Sequence, residues 1–135
     1  MEAKYESTVT TVGTGVDKLY ARLSDFESLA QFFPSSFRVA QSSVDSCIME
    51  VQPIGRMNMR IVERQPYELV RILAGVHPQI EYYILLHLRR IAADTSTVQV
   101  AVQADLSPLY HMIASRIMQN TVDEIAKAIA RRCVL

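Results

Sequence analysis

Three histidines and two cysteines are the residues of this chain whose chemistry suits metal binding or catalysis. His77, His87 and His111 are scattered, and neither an HExxH motif nor a Cys/His cluster at ligand spacing includes them. Cys47 lies in an apolar run and Cys133 close to the C-terminus, without the CxxC spacing of a redox or zinc site. The sequence therefore predicts no metal site and two reduced thiols with a structural role.

The motifs that accompany phosphate binding and acyl transfer are missing as well. Gly13 and Gly15 resemble the start of a GxGxxG loop, but Lys18 occupies the third position. None of the serines lies in the GxSxG context of a hydrolase nucleophile. We therefore predict no catalytic residue and no cofactor. The sequence leans against an enzyme without deciding the point.

Three ionisable side chains lie inside apolar runs, and each has two interpretations. An inward His87 could hydrogen-bond a ligand or act as an acid or base near neutral pH. The phase of Leu86 and Leu88 on the same strand favours an outward, solvated imidazole instead. Glu50 and Glu81 would be unusual acids if they were buried, but a solvated strand face is the commoner arrangement.

Tyrosine and methionine supply the candidates for ligand binding. Tyr82 and Tyr110 each offer a large apolar body with one hydroxyl that could orient a ligand. Simple core packing is an equally good interpretation of Tyr82. Met57 and Met59 carry flexible thioethers that can repack around ligands of different shape, although ordinary core positions explain them too.

Length and composition limit the fold that must position these residues. At 135 residues and 15.3 kDa the chain fits one domain, residues 1–135, and half of its residues are apolar, as in a globular protein. Fourteen basic against fourteen acidic residues leave no net charge, so a nucleic-acid partner lacks electrostatic support. We find no signal peptide and no run of about 20 apolar residues. We expect a soluble cytoplasmic protein without integral membrane association; the sequence does not decide whether it forms homo-oligomers.

The N-terminal part of the chain is predicted to form one strand and two short helices. Residues 5–12 are rich in threonine and valine, which indicates the strand. Thr14 is placed to cap the first helix, with Asp17 three residues later as in a capping box. A second helical pattern follows and ends before Pro34.

From Phe37 onward the apolar period changes to two, which predicts strands. Met57, Met59 and Ile61 alternate with polar residues, as expected of a strand with one face exposed to solvent. The run IEYYILLHLRRI is apolar on both faces, so its outer side, which includes Tyr83, needs a cover. Six or seven strands joined by short turns must be mostly antiparallel.

The chain closes with a long amphipathic helix. Ser107 is a favourable N-cap, Pro108 is a favourable first residue, and the helical pattern runs for about 25 residues. Since the strands share one apolar face, this helix is the element expected to pack across it. Its predicted apolar stripe consists of Leu109, Ile113, Ile117, Met118, Val122, Ile125, Ile129 and Cys133.

The order of these segments resembles a known superfamily. One strand, two short helices, about six strands and a terminal helix, with the runs LSDFESLAQFFP, IGRMNMRIVERQPYELV and SPLYHMI, are similar to the START-like (SRPBCC) helix-grip proteins. The resemblance covers essentially the whole chain. It implies an α+β fold, β-α-α-β(about six)-α, in which an antiparallel curved sheet wraps around a long C-terminal helix. Members include lipid and sterol carriers, coenzyme-Q-binding proteins, polyketide cyclases and hormone receptors, and they share a cavity between the sheet and the last helix.

By position, the resemblance also implies which residues would line such a cavity. An empty apolar void of about 300 Å³ would cost about 7 kcal/mol, against a total stability of about 5–15 kcal/mol. We therefore expect a cavity that is small, hydrated or filled. The implied ligand-binding residues are Met57, Met59, Ile61, Tyr82, Ile84, Leu86, Val100, Val102, Ile113, Ile117 and Ile125.

The leading hypothesis is the binding, transport or sensing of a small hydrophobic or amphipathic ligand, such as a lipid, a quinone or a polyketide-like molecule. Two alternatives stay open. A polyketide cyclase or dehydratase type of enzyme would need at least one inward ionisable side chain. A protein-interaction domain could use the N-terminal helices or the outer side of IEYYILLHL, where Tyr83 and Leu85 are apolar.

Overall fold

The structure is a computed structural model that describes residues 2–52, 55–76 and 80–133. The turns predicted at Pro53 and Pro78 lie outside these ranges, as does His77. The elements in chain order are β1 (Glu2–Glu6), β2 (Thr10–Val12), α1 (Val16–Leu23), α2 (Phe26–Leu29), a short 3₁₀ helix (Ala30–Phe32), β3 (Phe37–Ser42), β4 (Ser46–Val51), β5 (Gly55–Gln65), β6 (Leu69–Val76), β7 (Ile80–Ala92), β8 (Thr95–Asp105) and α3 (Pro108–Arg132).

Eight antiparallel strands form one sheet in the order β1-β8-β7-β6-β5-β4-β3, and β2 also pairs with β8. Consecutive strands from β3 to β8 are neighbours, as their short connections require. The first strand instead pairs with the last one. The predicted α+β helix-grip arrangement is confirmed: an antiparallel curved sheet is followed by a long C-terminal helix of 25 residues, with two short helices after the first strands.

The single first strand predicted over residues 5–12 is divided in two, which brings the described strands to eight. Ser7 interrupts it: its N–H donates to the carbonyl of Val100, and its hydroxyl oxygen accepts from the N–H of Val100 at 3.0 Å. A side chain thus takes the place of a backbone carbonyl in the ladder. The strand pairing to β8 resumes at Thr10.

Helix α1 is not capped as predicted. Its N-cap is Gly15, which forms no side-chain hydrogen bond, and the helix begins at Val16. The carbonyl of Thr14 instead accepts from the buried hydroxyl of Ser96 at 2.9 Å. A Cβ atom on residue 15 would lie 2.7 Å from the carbonyl oxygen of Ala93, so close packing against the turn between β7 and β8 requires glycine.

The alternation of β5 follows the prediction over most of the strand. Met57, Met59 and Ile61 are buried on the inner face of the sheet, and the residues between them are exposed. A bulge between Ile61 and Glu63 then shifts the alternation by one residue. Arg64 consequently turns toward the helices, where its guanidinium donates to the carbonyl of Ser24 at 2.9 Å.

Helix α3 starts as predicted, since the hydroxyl of Ser107 accepts from the N–H of Tyr110. Its buried stripe, however, differs from the predicted one. Ile125 is buried, whereas Leu109, Ile113 and Ile117 are 65%, 61% and 47% exposed. The prediction linked residues four apart, and each such step turns about 40° further round the helix. Ile113 therefore lies about 120° from Ile125 and does not face the sheet.

Candidate functional site

Small side chains form one row across the inner face of the sheet. Ala3 on β1 is opposite Ala104 on β8, and Ala104 is in turn opposite Tyr82 on β7. The other neighbour of Tyr82 is Ala74 on β6. All four residues are buried. Tyr82 is therefore the one long side chain among these positions, with an alanine on either side.

The hydroxyl of Tyr82 has a weak partner. Its hydrogen bond within the described part of the chain runs to the thioether sulfur of Met57, at 2.9 Å. A thioether is a weak acceptor. Burial raises the pKa of Tyr82 above its usual range, because the phenolate would be removed from water. The phenol therefore stays protonated and can donate to a stronger acceptor.

The first half of α3 faces this part of the sheet with half-buried side chains. Met118 and His111 lie seven and fourteen residues before Ile125, and hence on nearly the same side of the helix. Ala114 and Met118 pack against the core, but neither is fully buried. Ile125 and Ile129, one and two turns further on from Val122, are completely buried. The interface between helix and sheet is thus tight at the C-terminal end of α3 and loose at its N-terminal end.

Two contacts hold this loose half of α3 along β1. The side-chain amide of Gln119 donates to the carbonyl of Glu6 at 2.9 Å. The hydroxyl of Tyr5 and Nδ1 of His111 share a hydrogen bond of 2.8 Å, and their rings stack with centroids 5.9 Å apart. Tyr5 is buried on the same face as Ala3, two residues earlier. The Tyr5–His111 pair therefore lies between sheet and helix, at the end of the alanine row.

The exposed isoleucines flank this loose end. Ile113 is two residues from His111, and Ile117 is two residues from Gln119; residues two apart lie about 160° apart around a helix. Since His111 and Gln119 contact β1, both isoleucines lie on the side of α3 away from that strand. They remain accessible on the surface of α3.

The residues that the resemblance implied as a cavity lining fall into two groups. Ile113 and Ile117 are exposed, so the prediction that they face the sheet is wrong, for the geometric reason given above. The others are at most 7% exposed: Met57, Met59, Ile61, Tyr82, Ile84, Leu86, Val100, Val102 and Ile125. Their contact with a ligand stays a prediction.

The other ionisable candidates and Tyr110 lie at the surface. His87 is exposed, as the phase of its strand indicated, and Glu81 is exposed too. Glu50 forms an ion pair of 2.7 Å with Arg38, and this hydrogen bond lowers the pKa of Glu50. Glu50 is thus a surface carboxylate. Tyr110 is 50% exposed and does not contribute its hydroxyl to the interior.

The outer face of β7 is less apolar at its surface than the sequence indicated. Leu85 is 9% exposed. The ring of Tyr83 is covered by the guanidinium of Arg71, which lies 4.1 Å from the ring centroid. The two side chains that motivated a protein-interaction surface on this strand are therefore covered by the protein itself.

Both cysteines are buried free thiols, as predicted. Burial raises the pKa of Cys47 and of Cys133, which keeps the reactive thiolate scarce. Within residues 2–52, 55–76 and 80–133, no three His, Cys, Asp or Glu side chains are grouped so that they could hold a metal ion. None of the described helices has the length and apolar character needed to cross a bilayer.

The Tyr5–His111 pair was not predicted from the sequence. His111 is one of three scattered histidines there, and its partner lies at a sequence separation of 106 residues. One signal was available: a step of seven residues from Ile125 leads through Met118 to His111 and marks the side of the helix that faces the sheet. The pair also meets the requirement of the enzyme hypothesis for an inward ionisable group.

Solved structures share this architecture over nearly the whole chain. Norcoclaurine synthase from Thalictrum flavum matches with a TM-score of 0.73 at 11% identity, covering 97% of this chain and 86% of that one. A START superfamily protein from Mycobacterium smegmatis matches with a TM-score of 0.68 at 14% identity, covering 98% and 96%. The chain has the START-like helix-grip fold. The fold that the resemblance implied is thereby confirmed.

The START-like fold is also found in a conserved protein from Geobacillus kaustophilus, with a TM-score of 0.72 at 9% identity and coverage of 98% and 95%. Identities this low establish the START-like fold alone. No protein-family model matches the sequence, and no curated protein does. The function must therefore be argued from the site.

Proposed function

We propose that this chain binds a small hydrophobic or amphipathic molecule between the inner face of its sheet and the first half of α3. The observation that carries the proposal is the contrast between the two ends of the helix. Ile125 is completely packed, whereas His111, Ala114 and Met118 are half-buried opposite a sheet face that includes a row of alanines. A ligand that fills the loose end would bury apolar surface now reached by water.

The magnitudes favour a ligand that also makes a hydrogen bond. Burial of about 300 Å² of apolar surface would contribute about 7 kcal/mol at about 25 cal/mol per Å². Association costs at least about 4 kcal/mol in lost translational and rotational freedom. The free energy that remains after this cost corresponds to weak binding. One good hydrogen bond would therefore raise the affinity noticeably. The Tyr82 hydroxyl, now bonded to the sulfur of Met57, is a donor that a carbonyl or ether oxygen would satisfy better.

In this proposal the buried inward residues form the wall of the site, and Ile113 and Ile117 form its rim. Met57 and Met59 can adjust their thioethers to the shape of the ligand. Molecules of the size of a quinone, a polyketide-like ring system or a lipid chain fit the description. A small aromatic ligand is in keeping with the fold, since norcoclaurine synthase has been solved in complex with dopamine and hydroxybenzaldehyde.

The substitution Ala114→Leu tests the location of the site. Leucine is a good helix former, so α3 should persist while the added carbons occupy the loose end. We expect at least a roughly tenfold loss of affinity for the uncharged fluorescent probe N-phenyl-1-naphthylamine, measured by titration. Ala130→Leu is the matched control, because Ala130 lies on the same helix about 140° from Ile125. The control should bind as the wild type does.

Native mass spectrometry of gently purified protein supplies the second readout. A co-purified small molecule that is present in the wild type and absent from Ala114→Leu would support the proposal. Equal probe binding by Ala114→Leu and the wild type would show that the site lies elsewhere. A clean unliganded mass together with no probe binding would contradict the ligand-binding function itself.

A further inference from the structure

We propose that the Tyr5–His111 pair is the polar recognition element of this ligand site and that it selects ligands carrying a hydrogen-bond acceptor oxygen near the N-terminal end of α3. The inference rests on the proposed ligand-binding function. It adds a second hydrogen-bond donor to the site, separate from the deeper Tyr82.

While the phenol of Tyr5 is protonated, the pair keeps a free hydrogen-bond donor whichever way the shared bond runs. If the hydroxyl of Tyr5 donates to Nδ1 of His111, the neutral imidazole carries its hydrogen on Nε2. If Nδ1–H donates to the phenolic oxygen, the hydroxyl hydrogen of Tyr5 is left free. If the imidazole is protonated, both Nε2–H and the hydroxyl hydrogen remain. Each case leaves at least one polar hydrogen outside the shared bond.

The Nε2 atom of His111 is accessible in the structure. Nε2 of His111 has no protein partner among the described residues, and in the same part of the chain no fully buried side-chain nitrogen or oxygen lacks one. Nε2 is therefore not sealed in the core. His111 is half-buried on the side of α3 that faces the sheet, while Tyr5 is 7% exposed.

The positions nearest to the pair on β1, β8 and α3 carry small apolar side chains. Ala3 precedes Tyr5 on the same strand face and is opposite Ala104 on β8. Ala114 follows His111 by about one turn of α3. Three small apolar side chains therefore surround one polar contact. This combination suits an apolar molecule with a carbonyl, carboxylate or phenolate oxygen at one end, and it penalises a pure hydrocarbon.

Two probes of equal size test the selection: 2-acetylnaphthalene, which carries a carbonyl acceptor, and 2-ethylnaphthalene, which does not. Their dissociation constants are measured by displacement of N-phenyl-1-naphthylamine in the Tyr82→Phe background, so that the deeper hydroxyl cannot supply the hydrogen bond. We expect the acetyl compound to bind about fivefold more tightly, the ratio that one net hydrogen bond gives. Because the Tyr5 hydroxyl can still donate once the imidazole is removed, both members of the pair are changed together. Adding Tyr5→Phe with His111→Leu should bring this ratio to about one.

Tyr110→Phe, added to the same background, is the matched control, since it removes an exposed hydroxyl next to His111 in the chain. In this control variant the acetyl compound should still bind about fivefold more tightly than the ethyl compound. Retained binding of the ethyl compound shows that each variant is folded. A ratio near one before the pair is changed, or a ratio that survives the loss of both polar groups in Tyr5→Phe with His111→Leu, would overturn the role of the pair and leave the ligand-binding function intact. If neither naphthalene binds to the wild type, both proposals fall.

Discussion

Burial gives Tyr82 a pH dependence that can be measured. Because its pKa is raised in the folded protein, the folded state keeps the phenol protonated after the unfolded chain has begun to ionise. This contribution to stability is fully present below the ordinary tyrosine pKa of about 10 and is lost as the pH rises above it. The buried thiols of Cys47 and Cys133 act in the same direction above their ordinary value of 9.0.

Tyr82→Phe should therefore flatten the loss of stability at alkaline pH. A raised phenol pKa costs up to about 1.4 kcal/mol per pH unit above about pH 10. We expect the free energy of unfolding of the variant to fall less steeply than that of the wild type, in urea titrations run in steps from about pH 9 to pH 11. Tyr67→Phe, at a residue that is 51% exposed, is the control. Parallel curves for Tyr82→Phe and the wild type would contradict a buried, neutral phenol.

Single residues were predictable where their role depends on near neighbours. The outward position of His87 followed from the phase of Leu86 and Leu88, and the helix start at Ser107 followed from its own hydroxyl. The partnership of Tyr5 with His111 could not be found in this way. It depends on a strand and a helix from opposite ends of the chain meeting across the sheet.

Helix α3 offers a comparison of two identical substitutions in one element. Ile125→Ala removes a completely buried side chain and should cost about 2–5 kcal/mol of the free energy of unfolding. Ile113→Ala removes a side chain that is 61% exposed and should change it by less than about 0.5 kcal/mol. Urea unfolding of both variants measures the difference. Equal losses would mean that the orientation of α3 differs from the one described.

Elements were predicted well where a local pattern decides them. The period-two alternation of β5 and the length of α3 are such cases. Three departures have non-local causes: the side chain of Ser7 bonds to β8, Gly15 packs against Ala93, and the bulge after Ile61 turns Arg64 toward the helices. The predicted apolar stripe of α3 was wrong for a different reason. It linked residues four apart over several turns, and each such step moves further round the helix.

The whole sheet should show graded protection from hydrogen exchange. Strand β3 lies at one edge, and all its residues after Phe37 are exposed. Strands β7 and β8 are interior strands that are paired on both sides. We expect the amide hydrogens of β3 to exchange at least about tenfold faster than those of β7 and β8 in native-state exchange followed by NMR. Uniform protection across all strands would show that the edge is covered in solution.

The pairing of β1 with β8 determines when the sheet can be completed during translation. Glu2 is opposite Asp105, so β1 has no partner when it leaves the ribosome, and about a hundred further residues are translated before β8 follows. The hairpins from β3 to β8 can assemble as they emerge, whereas β1 must wait as a short unpaired strand. At about 5–20 residues per second this wait lasts from about five to twenty seconds. The alternating polar residues Glu2, Lys4 and Glu6 keep the waiting strand charged, which discourages it from pairing with other chains in that interval.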